Sequence, residues 1–363
     1  MTAPDGVGRP VTASAAPSDL SAEALTVTGQ HDLSSAAAVE RLRRSIDTVF
    51  SRYGLPAGTQ VRLLNVSENA TFLLEPPEGP SRVLRVHRAD YQSPAEIRSE
   101  LAWIDALRRE HTVPTVVPIA ADDGELVVLL NDSGCAEPRP VVMFEHISGR
   151  EPLGDDVAGF ELLGETAARL HLHARRWQPP PGFTRFRWDY DGAFGGTARW
   201  GRWQHGLGVG RAESEVLTRL DAVLRARLAA FGTGPDVFHL IHADMRLANL
   251  IVDDTGVTHV IDFDDCGGGW YLYDLGSALS FFEHQPHVPE LIDAWLRGYR
   301  KVLPVPAEHE REIPTFVMMR RLLLTAWIST HAETPTGREM GAPFTADTVR
   351  LADAYLETHG RVT

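Results

Sequence analysis

Four polar side chains have the types and the spacing that metal-assisted phosphoryl transfer requires. His242, Asp244 and Asn249 lie close together in the sequence, and Asp262 follows two short β-branched runs. An Asp-Thr-Gly turn signal separates these runs, so together they predict a hairpin. A loop would therefore present a carboxylate and an amide, and the strand end beyond the hairpin would present further carboxylates.

Such an array suits phosphoryl transfer from ATP. One carboxylate accepts the proton of the attacking hydroxyl, while an amide and another carboxylate hold the Mg²⁺ that offsets the phosphate charge. A lone His-x-Asp triplet would be a weak signal, because such triplets are common. The conjunction of His242, Asp244, Asn249, the hairpin and Asp262 is far harder to produce by chance.

The pattern HxDxxxxN, followed by a hairpin and IDF, resembles the catalytic core of the protein-kinase-like fold. The surrounding stretches, IHADMRLANLIVDD and VIDFDDCGGGWYLYDLGSAL, resemble those of the aminoglycoside phosphotransferase and choline kinase family. That family includes antibiotic kinases, homoserine and amino-alcohol kinases, and a bacterial stress-response protein kinase. The resemblance runs from about Val61 to about Trp327 and implies ATP and Mg²⁺ as cofactors.

The resemblance implies a role for each polar residue of the catalytic block. Asp244 is expected to orient the substrate hydroxyl and accept its proton, and His242 to support the loop by hydrogen bonding. Arg246 would neutralise charge on the migrating phosphoryl group. Asn249 and Asp262 are the predicted Mg²⁺ ligands. Beyond these five residues, two roles stay open for Asp264 and Asp265: an indirect contact at the site, or a contact with a substrate ammonium. Asp274 is expected to brace the loop backbone.

The resemblance also implies a nucleotide site in the N-terminal half. Ser67 and Asn69 would lie in the phosphate-covering loop, although an ordinary polar hairpin is the alternative. The half contains no lysine, so Arg85 is expected to replace the usual cation of the third strand. Glu100, on a helix opened by Ser93-Pro94, would orient Arg85, and a surface ion pair is the alternative.

The predicted fold class is α+β, a bilobal protein-kinase-like fold with an antiparallel β N-lobe and a mainly α-helical C-lobe. We expect a flexible extension over 1–35, an N-lobe with a five-stranded sheet and a helix over 36–147, and a C-lobe over 148–363. In the connection between the lobes, backbone groups of Glu145 and Ile147 would bond adenine.

Composition limits the partners. The chain has 35 basic and 49 acidic residues and a net charge of −14, which argues against nucleic-acid or anionic-membrane binding and fits a cationic substrate. No apolar run approaches a membrane span, and the first residues lack an apolar signal region. We therefore expect a cytoplasmic bacterial protein. Cys135 and Cys266 form no metal-ligand spacing, and Cys266 is expected to be a packing residue.

The predicted function is an ATP- and Mg-dependent transfer of phosphate to a hydroxyl of a small, amine-bearing molecule, such as an aminoglycoside-like antibiotic, an amino alcohol or a hydroxy amino acid. A stress-response-type protein serine/threonine kinase is a variant of this hypothesis. A nucleotide-binding pseudokinase and a transition-metal hydrolase are the alternatives. The acceptor depends on the aromatic segment Trp188 to Trp203 and the C-terminal helices, whose sequences carry no motif that identifies it, and the sequence does not give the oligomeric state.

Overall fold

The structure of the protein is a computed structural model, and it describes residues 36–89, 91–131, 138–152, 157–196 and 198–360. The predicted extension, 1–35, and Cys135 lie outside the described residues. The described chain forms an N-terminal lobe built on an antiparallel sheet and a C-terminal lobe that is mainly helical. This is the bilobal α+β architecture predicted from the sequence.

The N-lobe sheet has six strands and not the predicted five. The strands are β1 Gln60–Val66, β2 Asn69–Glu75, β3 Arg82–His87, β4 Pro118–Ile119, β5 Val128–Leu130 and β6 Arg139–Glu145. Their order is β1-β2-β3-β6-β4, and β5 also pairs with β6. The count was wrong because one edge of β6 is shared: β4 pairs with its C-terminal part at Met143 and Phe144, and β5 with its N-terminal part.

Each face of this sheet packs against a helix. Helix α1, Ala36–Ser45, continues as a 3₁₀ turn over Ile46–Tyr53, and its apolar residues share a buried cluster with Val141 and Met143 of β6. The alternate residues Val142 and Phe144 belong to the other core, together with helix α2. This alternation follows from the two-residue period of a strand.

Helix α2, Pro94–Arg109, begins where the sequence predicts. The Ser93 hydroxyl accepts a hydrogen bond from the Glu96 amide at 3.2 Å, and the Glu96 carboxylate accepts from the Ser93 amide at 2.8 Å. This capping box satisfies two amides that the first helical turn leaves free. Glu100 lies one turn further along, on the buried face of the helix.

The C-lobe contains the remaining helices and five short strands. The helices are α3 Val157–Arg176, α4 Tyr190–Phe194, α5 Arg211–Phe231, α6 Tyr271–Ala278, α7 Val288–Tyr299, α8 Ala307–Glu310, α9 Ile313–Thr330 and α10 Pro335–His359. The strands are β7 Gly149–Arg150, β8 Phe238–Ile241, β9 Leu250–Asp253, β10 Thr258–Val260 and β11 Gly267–Trp270. Helices α8 and α9 are separate elements, and Pro314 lies in the first turn of α9. Within the described residues, every helix is too short or too polar to span a membrane.

Strand pairing brings the two predicted functional segments together. Strands β8 and β11 are antiparallel, and Ile241 at the end of β8 pairs with Gly267 at the start of β11. The residues after Ile241 and those before Gly267 therefore leave the ribbon at the same end. The predicted hairpin forms as β9 and β10, and the Asp253 carboxylate accepts hydrogen bonds from the Thr255 and Val257 amides in its turn.

Helices α3 and α7 cross closely, and glycines make the crossing possible. A Cβ on Gly164 would lie 2.0 Å from the carbonyl oxygen of Trp295, and a Cβ on Gly298 would lie 1.8 Å from that of Glu161. The crossing matters for the site because α3 carries His171 and α7 carries Tyr299, whose hydroxyl contacts the His171 ring at 2.9 Å.

Gly298→Ala should destabilise the protein, because the added methyl group has no room against α3. We expect the free energy of unfolding to fall by about 1–3 kcal/mol, the usual cost of overpacking a core. Urea denaturation measures this, with Gly234→Ala as the control, since a Cβ at Gly234 meets no atom within 4 Å. Equal stability of the two variants would contradict the close crossing.

Candidate active site

A buried carboxylate holds the backbone of the catalytic loop. Asp274, on α6, accepts a hydrogen bond from the Ala243 amide at 2.7 Å and a longer one from the His242 amide at 3.3 Å. Ala243 has a φ of +67°, in the left-handed region that costs a non-glycine residue about 1–2 kcal/mol. The two hydrogen bonds to Asp274 offset this cost and hold the turn that presents Asp244.

Asp274 is itself supported by residues that the sequence analysis missed. Its second oxygen lies 2.9 Å from Nε2 of His171, whose Nδ1 contacts the Tyr299 hydroxyl at 2.9 Å. The His171 ring also stacks on Tyr271, with centroids 4.5 Å apart. A histidine in a buried helical stripe signals a hydrogen-bonded partner, so the sequence contains a sign of this support.

His242 makes two hydrogen bonds at the loop. Its Nε2 lies 3.0 Å from the carbonyl oxygen of Ile261, and its Nδ1 accepts a hydrogen bond from the Asp244 amide at 3.3 Å. The ring packs against Phe263 with centroids 4.7 Å apart. His242 therefore links the catalytic loop to the segment that carries Asp262.

The Asp244 carboxylate is surrounded by donors. One oxygen accepts from the Asn249 side-chain amide at 2.8 Å and from Arg246 Nε at 3.2 Å, and the other accepts from Arg320 Nη2 at 2.6 Å. Burial raises the pKa of Asp244, but the charges of Arg246 and Arg320 outweigh burial and hold it below its ordinary value. Asp244 is therefore ionised at neutral pH.

Arg320 was not foreseen, although the sequence contains a signal for it. It stands in α9, whose neighbouring residues are mostly apolar and buried, and its exposed fraction is 2%. A fully buried arginine requires anionic or hydrogen-bonding partners. The sequence therefore indicates that this position is paired, but it does not identify Asp244 as the partner.

Asn249 and Asp262 face the same cleft from adjacent segments. The Asn249 amide nitrogen donates to both the backbone and the side chain of Asp244, each at 2.8 Å, which leaves its side-chain oxygen for another partner. Asp262 has a φ of +62°, and its side chain is 45% exposed. Amide and carboxylate oxygens are suitable ligands for Mg²⁺, which also keeps waters and phosphate oxygens. Within the described residues, no three His, Cys, Asp or Glu side chains form a metal-binding group.

The structure brings Arg85 and Glu100 together. Arg85 Nη2 lies 2.5 Å from Glu100 Oε1, both side chains are buried, and Arg85 Nη1 lies 3.7 Å from Asp262 Oδ1. Arg85 also stands over the Phe144 ring at 5.3 Å. Its Nε is buried with no hydrogen-bond partner among the described residues, so a donor is available for an anionic group in the cleft. The surface-pair alternative for Glu100 is wrong, since its side chain is 0% exposed.

The predicted phosphate loop is connected to the C-lobe. Ser67 lines the cleft, whereas the Asn69 side chain donates to Asp264 at 2.6 Å. Glu68 lies between them in the sequence, and its Oε1 accepts from the Trp327 indole at 2.5 Å and lies 3.6 Å from His331 Nε2. Contact of Ser67 and Asn69 with nucleotide stays a prediction, and Glu68 is an addition that the sequence analysis missed.

The connection between the lobes forms one wall of the cleft, as predicted. Glu145 and Ile147 both line it, together with the apolar side chains of Val83, Val116 and Phe144. The Glu145 amide already donates to the Val117 carbonyl at 2.9 Å, so of the backbone groups at Glu145 only its carbonyl remains to bond adenine.

The cleft has a volume of about 630 Å³ and two chemically different ends. The apolar end lies at the connection between the lobes. The other end holds acidic and aromatic side chains, among them Glu68, Asp265, Trp200, Phe281 and Trp327. Burial and the nearby negative charges of Glu68 and Asp244 raise the pKa of Asp265 well above its ordinary value.

Most of the predicted aromatic segment builds the wall behind this acidic end. Trp188 and Trp203 are buried, and the Trp188 indole donates to the Asp265 carbonyl at 2.7 Å. Trp200 reaches the cleft, and its indole donates to the Tyr91 hydroxyl at 3.0 Å. Cys266 is a buried packing residue, as predicted, and burial raises the pKa of its thiol to about 12.

The site lies in a cleft between a β lobe and a helical lobe. A basic side chain on β3 is paired with a helix glutamate, and an Asp-Asn-Asp set lies below it. This is the architecture of protein-kinase-like phosphotransferases. The family model described as the phosphotransferase enzyme family (APH) matches residues 60–312, and the chain belongs to this family. It is an enzyme, a kinase-type phosphotransferase with an alcohol group as acceptor. This excludes the transition-metal hydrolase alternative.

Three known proteins are similar to the chain. It is 44% identical to a microcompartment-associated aminopropanol kinase of known structure, with a TM-score of 0.81, covering 88% of this chain and 99% of that one. It is 28% identical to a homoserine kinase of Acidiphilium cryptum, over 72% of this chain and 79% of that protein. The fold also matches an amicoumacin kinase solved with AMP-PNP, Ca²⁺ and Ami, at 21% identity and a TM-score of 0.71, over 86% and 95% of the two chains.

Asp274→Ala should release the catalytic loop, because the amides of His242 and Ala243 lose their acceptor inside the protein. We expect a loss of stability of about 1–3 kcal/mol for each buried donor left unpaired, and faster hydrogen exchange at both amides. Hydrogen exchange measured by mass spectrometry tests this. Asp236→Ala is the control, since the Asp236 side chain is 80% exposed in a surface ion pair. Unchanged protection of the loop would contradict the bracing role.

Proposed function

We propose that the protein transfers the terminal phosphate of ATP to the hydroxyl of a short amino alcohol, with Mg²⁺ held by Asn249 and Asp262. The observation that carries the proposal is the meeting of Asp244, Asn249 and Asp262 in one cleft that Arg85 also lines. The apolar end of the cleft is suited to adenine, and the acidic and aromatic end to an amine-bearing acceptor.

Asp244 orients the acceptor hydroxyl and receives its proton. Its pKa lies below the ordinary value, so it is a weak base, and orientation is its larger contribution. This agrees with phosphoryl transfer in general, where catalysis rests on positioning and on neutralising charge and not on strong proton abstraction. Arg246, whose side chain is 30% exposed at the edge of the cleft, neutralises charge on the migrating group.

Asn249 and Asp262 would hold the metal ion, which neutralises charge on the phosphates when bound. Asp262 has an exposed carboxylate in the cleft, and Asn249 has a side-chain oxygen that its other hydrogen bonds leave free. Arg85 would bind the phosphates from the N-lobe side. Arg85 is paired with Glu100 and supplies a cation on the third strand in place of the usual lysine. The missing lysine therefore does not favour the pseudokinase alternative.

The acidic end of the cleft supports a cationic acceptor. Glu68 and Asp265 line it, and the aromatic faces of Trp200, Trp327 and Phe281 stand around them. A carboxylate attracts an ammonium directly, and aromatic faces attract it through cation–π contacts. A bound cation would also relieve the repulsion that raises the pKa of Asp265. The relative at 44% identity is an aminopropanol kinase, which supports a short amino alcohol.

A hydroxy amino acid is the second candidate, favoured by the homoserine kinase relative at 28% identity. Such an acceptor brings a carboxylate as well as an ammonium. The cleft residues beside Asp244 that carry positive charge are Arg246 and Arg320, and Arg320 is already committed to four partners within the protein. The predominance of acidic groups therefore favours the amino alcohol.

Asp244→Asn should abolish turnover, because the amide neither accepts the hydroxyl proton nor attracts the hydroxyl as a carboxylate does. We expect kcat to fall by about 10²–10⁴-fold, the usual contribution of a positioned proton acceptor. ADP release with ATP, Mg²⁺ and a panel of amino alcohols, hydroxy amino acids and aminoglycosides measures this. Asp254→Asn, in the exposed hairpin turn, should match the wild type. Equal activity of the two variants would refute the assignment.

Asp265→Asn should weaken acceptor binding without affecting ATP. We expect KM for the amino alcohol to rise by about tenfold to a hundredfold, since a hydrogen bond to a charged group contributes about 1.5–3 kcal/mol. KM for ATP should stay unchanged. The matched measurement uses a neutral diol of the same length, for which the wild type and the variant should be alike. A preference for the amine over the diol that survives in Asp265→Asn would place the ammonium elsewhere.

A further inference from the structure

Arg320 holds the Asp244 carboxylate from behind the cleft. Its Nη2 donates to Asp244 Oδ1 at 2.6 Å, and its exposed fraction is only 2%. The remaining donors are also used: Nε donates to the Ser280 hydroxyl at 3.0 Å, and Nη1 to the Tyr273 hydroxyl at 3.1 Å and to the Ala243 carbonyl at 3.3 Å. These partners fix the guanidinium in one orientation, because its donors lie in a rigid plane.

Arg246 holds the other side of the same carboxylate in a different way. It makes one hydrogen bond to Asp244, from Nε to Oδ2 at 3.2 Å, and its side chain is 30% exposed. Its guanidinium stands 5.7 Å from the centre of the Phe281 ring, at the open cleft. Arg246 therefore has space to turn toward a phosphoryl group, whereas Arg320 is held in place by its four partners.

A turn of Arg246 would leave Asp244 dependent on Arg320. This loss of the Arg246 hydrogen bond matters because Asp244 Oδ2 must become free to accept the hydrogen of the acceptor hydroxyl. Asn249 stays bonded to Oδ2 at 2.8 Å, and Arg320 stays bonded to Oδ1. The carboxylate then keeps one positive partner and one fixed oxygen while the other oxygen faces the acceptor.

We propose that Arg320 is a positioning residue, which fixes Asp244 Oδ1 so that Oδ2 faces the acceptor hydroxyl, and which keeps the carboxylate balanced by a positive charge when Arg246 turns to the phosphoryl group. The movement of Arg246 rests on the proposed function. The hold of Arg320 on Asp244 does not, because it is independent of any substrate.

The test compares Arg320→Met, Arg320→Lys and Arg321→Met. We expect Arg320→Met to lose about a hundredfold in kcat, as misplaced groups do, while KM for ATP stays near that of the wild type. Arg320→Lys keeps the charge but not the planar fork, so its kcat should lie between those of Arg320→Met and the wild type. Arg321→Met is the control for folding, since Arg321 is the neighbouring buried arginine and pairs with Glu283 at 2.6 Å. Its kcat should match the wild type at temperatures where it is folded.

A second measurement requires no turnover. Crystal structures of the wild type, Arg320→Met and Arg321→Met show how the Asp244 carboxylate is oriented. In Arg320→Met the carboxylate should rotate away from its wild-type orientation, whereas in Arg321→Met it should keep that orientation. An unchanged Asp244 orientation in Arg320→Met would overturn the inference, and so would an unchanged kcat in an active enzyme. A wild type without kinase activity would refute the proposed function alone, and the orientation of Asp244 would then decide the role of Arg320.

Discussion

The catalytic loop depends on the hydrogen bonds that the Asp274 carboxylate accepts from the amides of His242 and Ala243. These hydrogen bonds hold Ala243 in its left-handed conformation, in the turn that presents Asp244 to the cleft. The carboxylate is in turn supported by His171, which the close packing of α3 and α7 holds in position. A contact at the active site thus rests on helices at the back of the C-lobe.

Charge balance is the second constraint on the site. Asp264 and Asp265 are buried beside Glu68 and Asp262 where the lobes meet, and burial and the neighbouring carboxylates raise the pKa of both. Arginines at fixed positions neutralise part of this negative charge. Each is held by several hydrogen bonds or by an aromatic face, which a lysine matches poorly. The remaining negative charge is what a metal ion and an ammonium would neutralise.

The predicted phosphate loop contacts both halves of the cleft. Asn69 connects it to Asp264, and Glu68 connects it to Trp327 on α9. The same helix reaches the catalytic loop through Arg320. Helix α9 is therefore in contact with the loop expected to cover the nucleotide and with the residue expected to orient the acceptor. These contacts with the C-lobe hold the loop in position.

The sequence by itself determined the features that local chemistry controls. The spacing of His242, Asp244 and Asn249, the hairpin after them, and the start of α2 at Ser93-Pro94 all depend on residues a few positions apart, and the hairpin and the helix start appear where they were predicted. Only the tertiary structure decided which distant side chains complete the site. Arg320 meets Asp244 across 76 positions and Glu68 meets Trp327 across 259, so no local periodicity encodes either pair. The division of one sheet edge between β4 and β5 was likewise decided by packing, because strand pairing is a contact between segments and not a property of either segment alone.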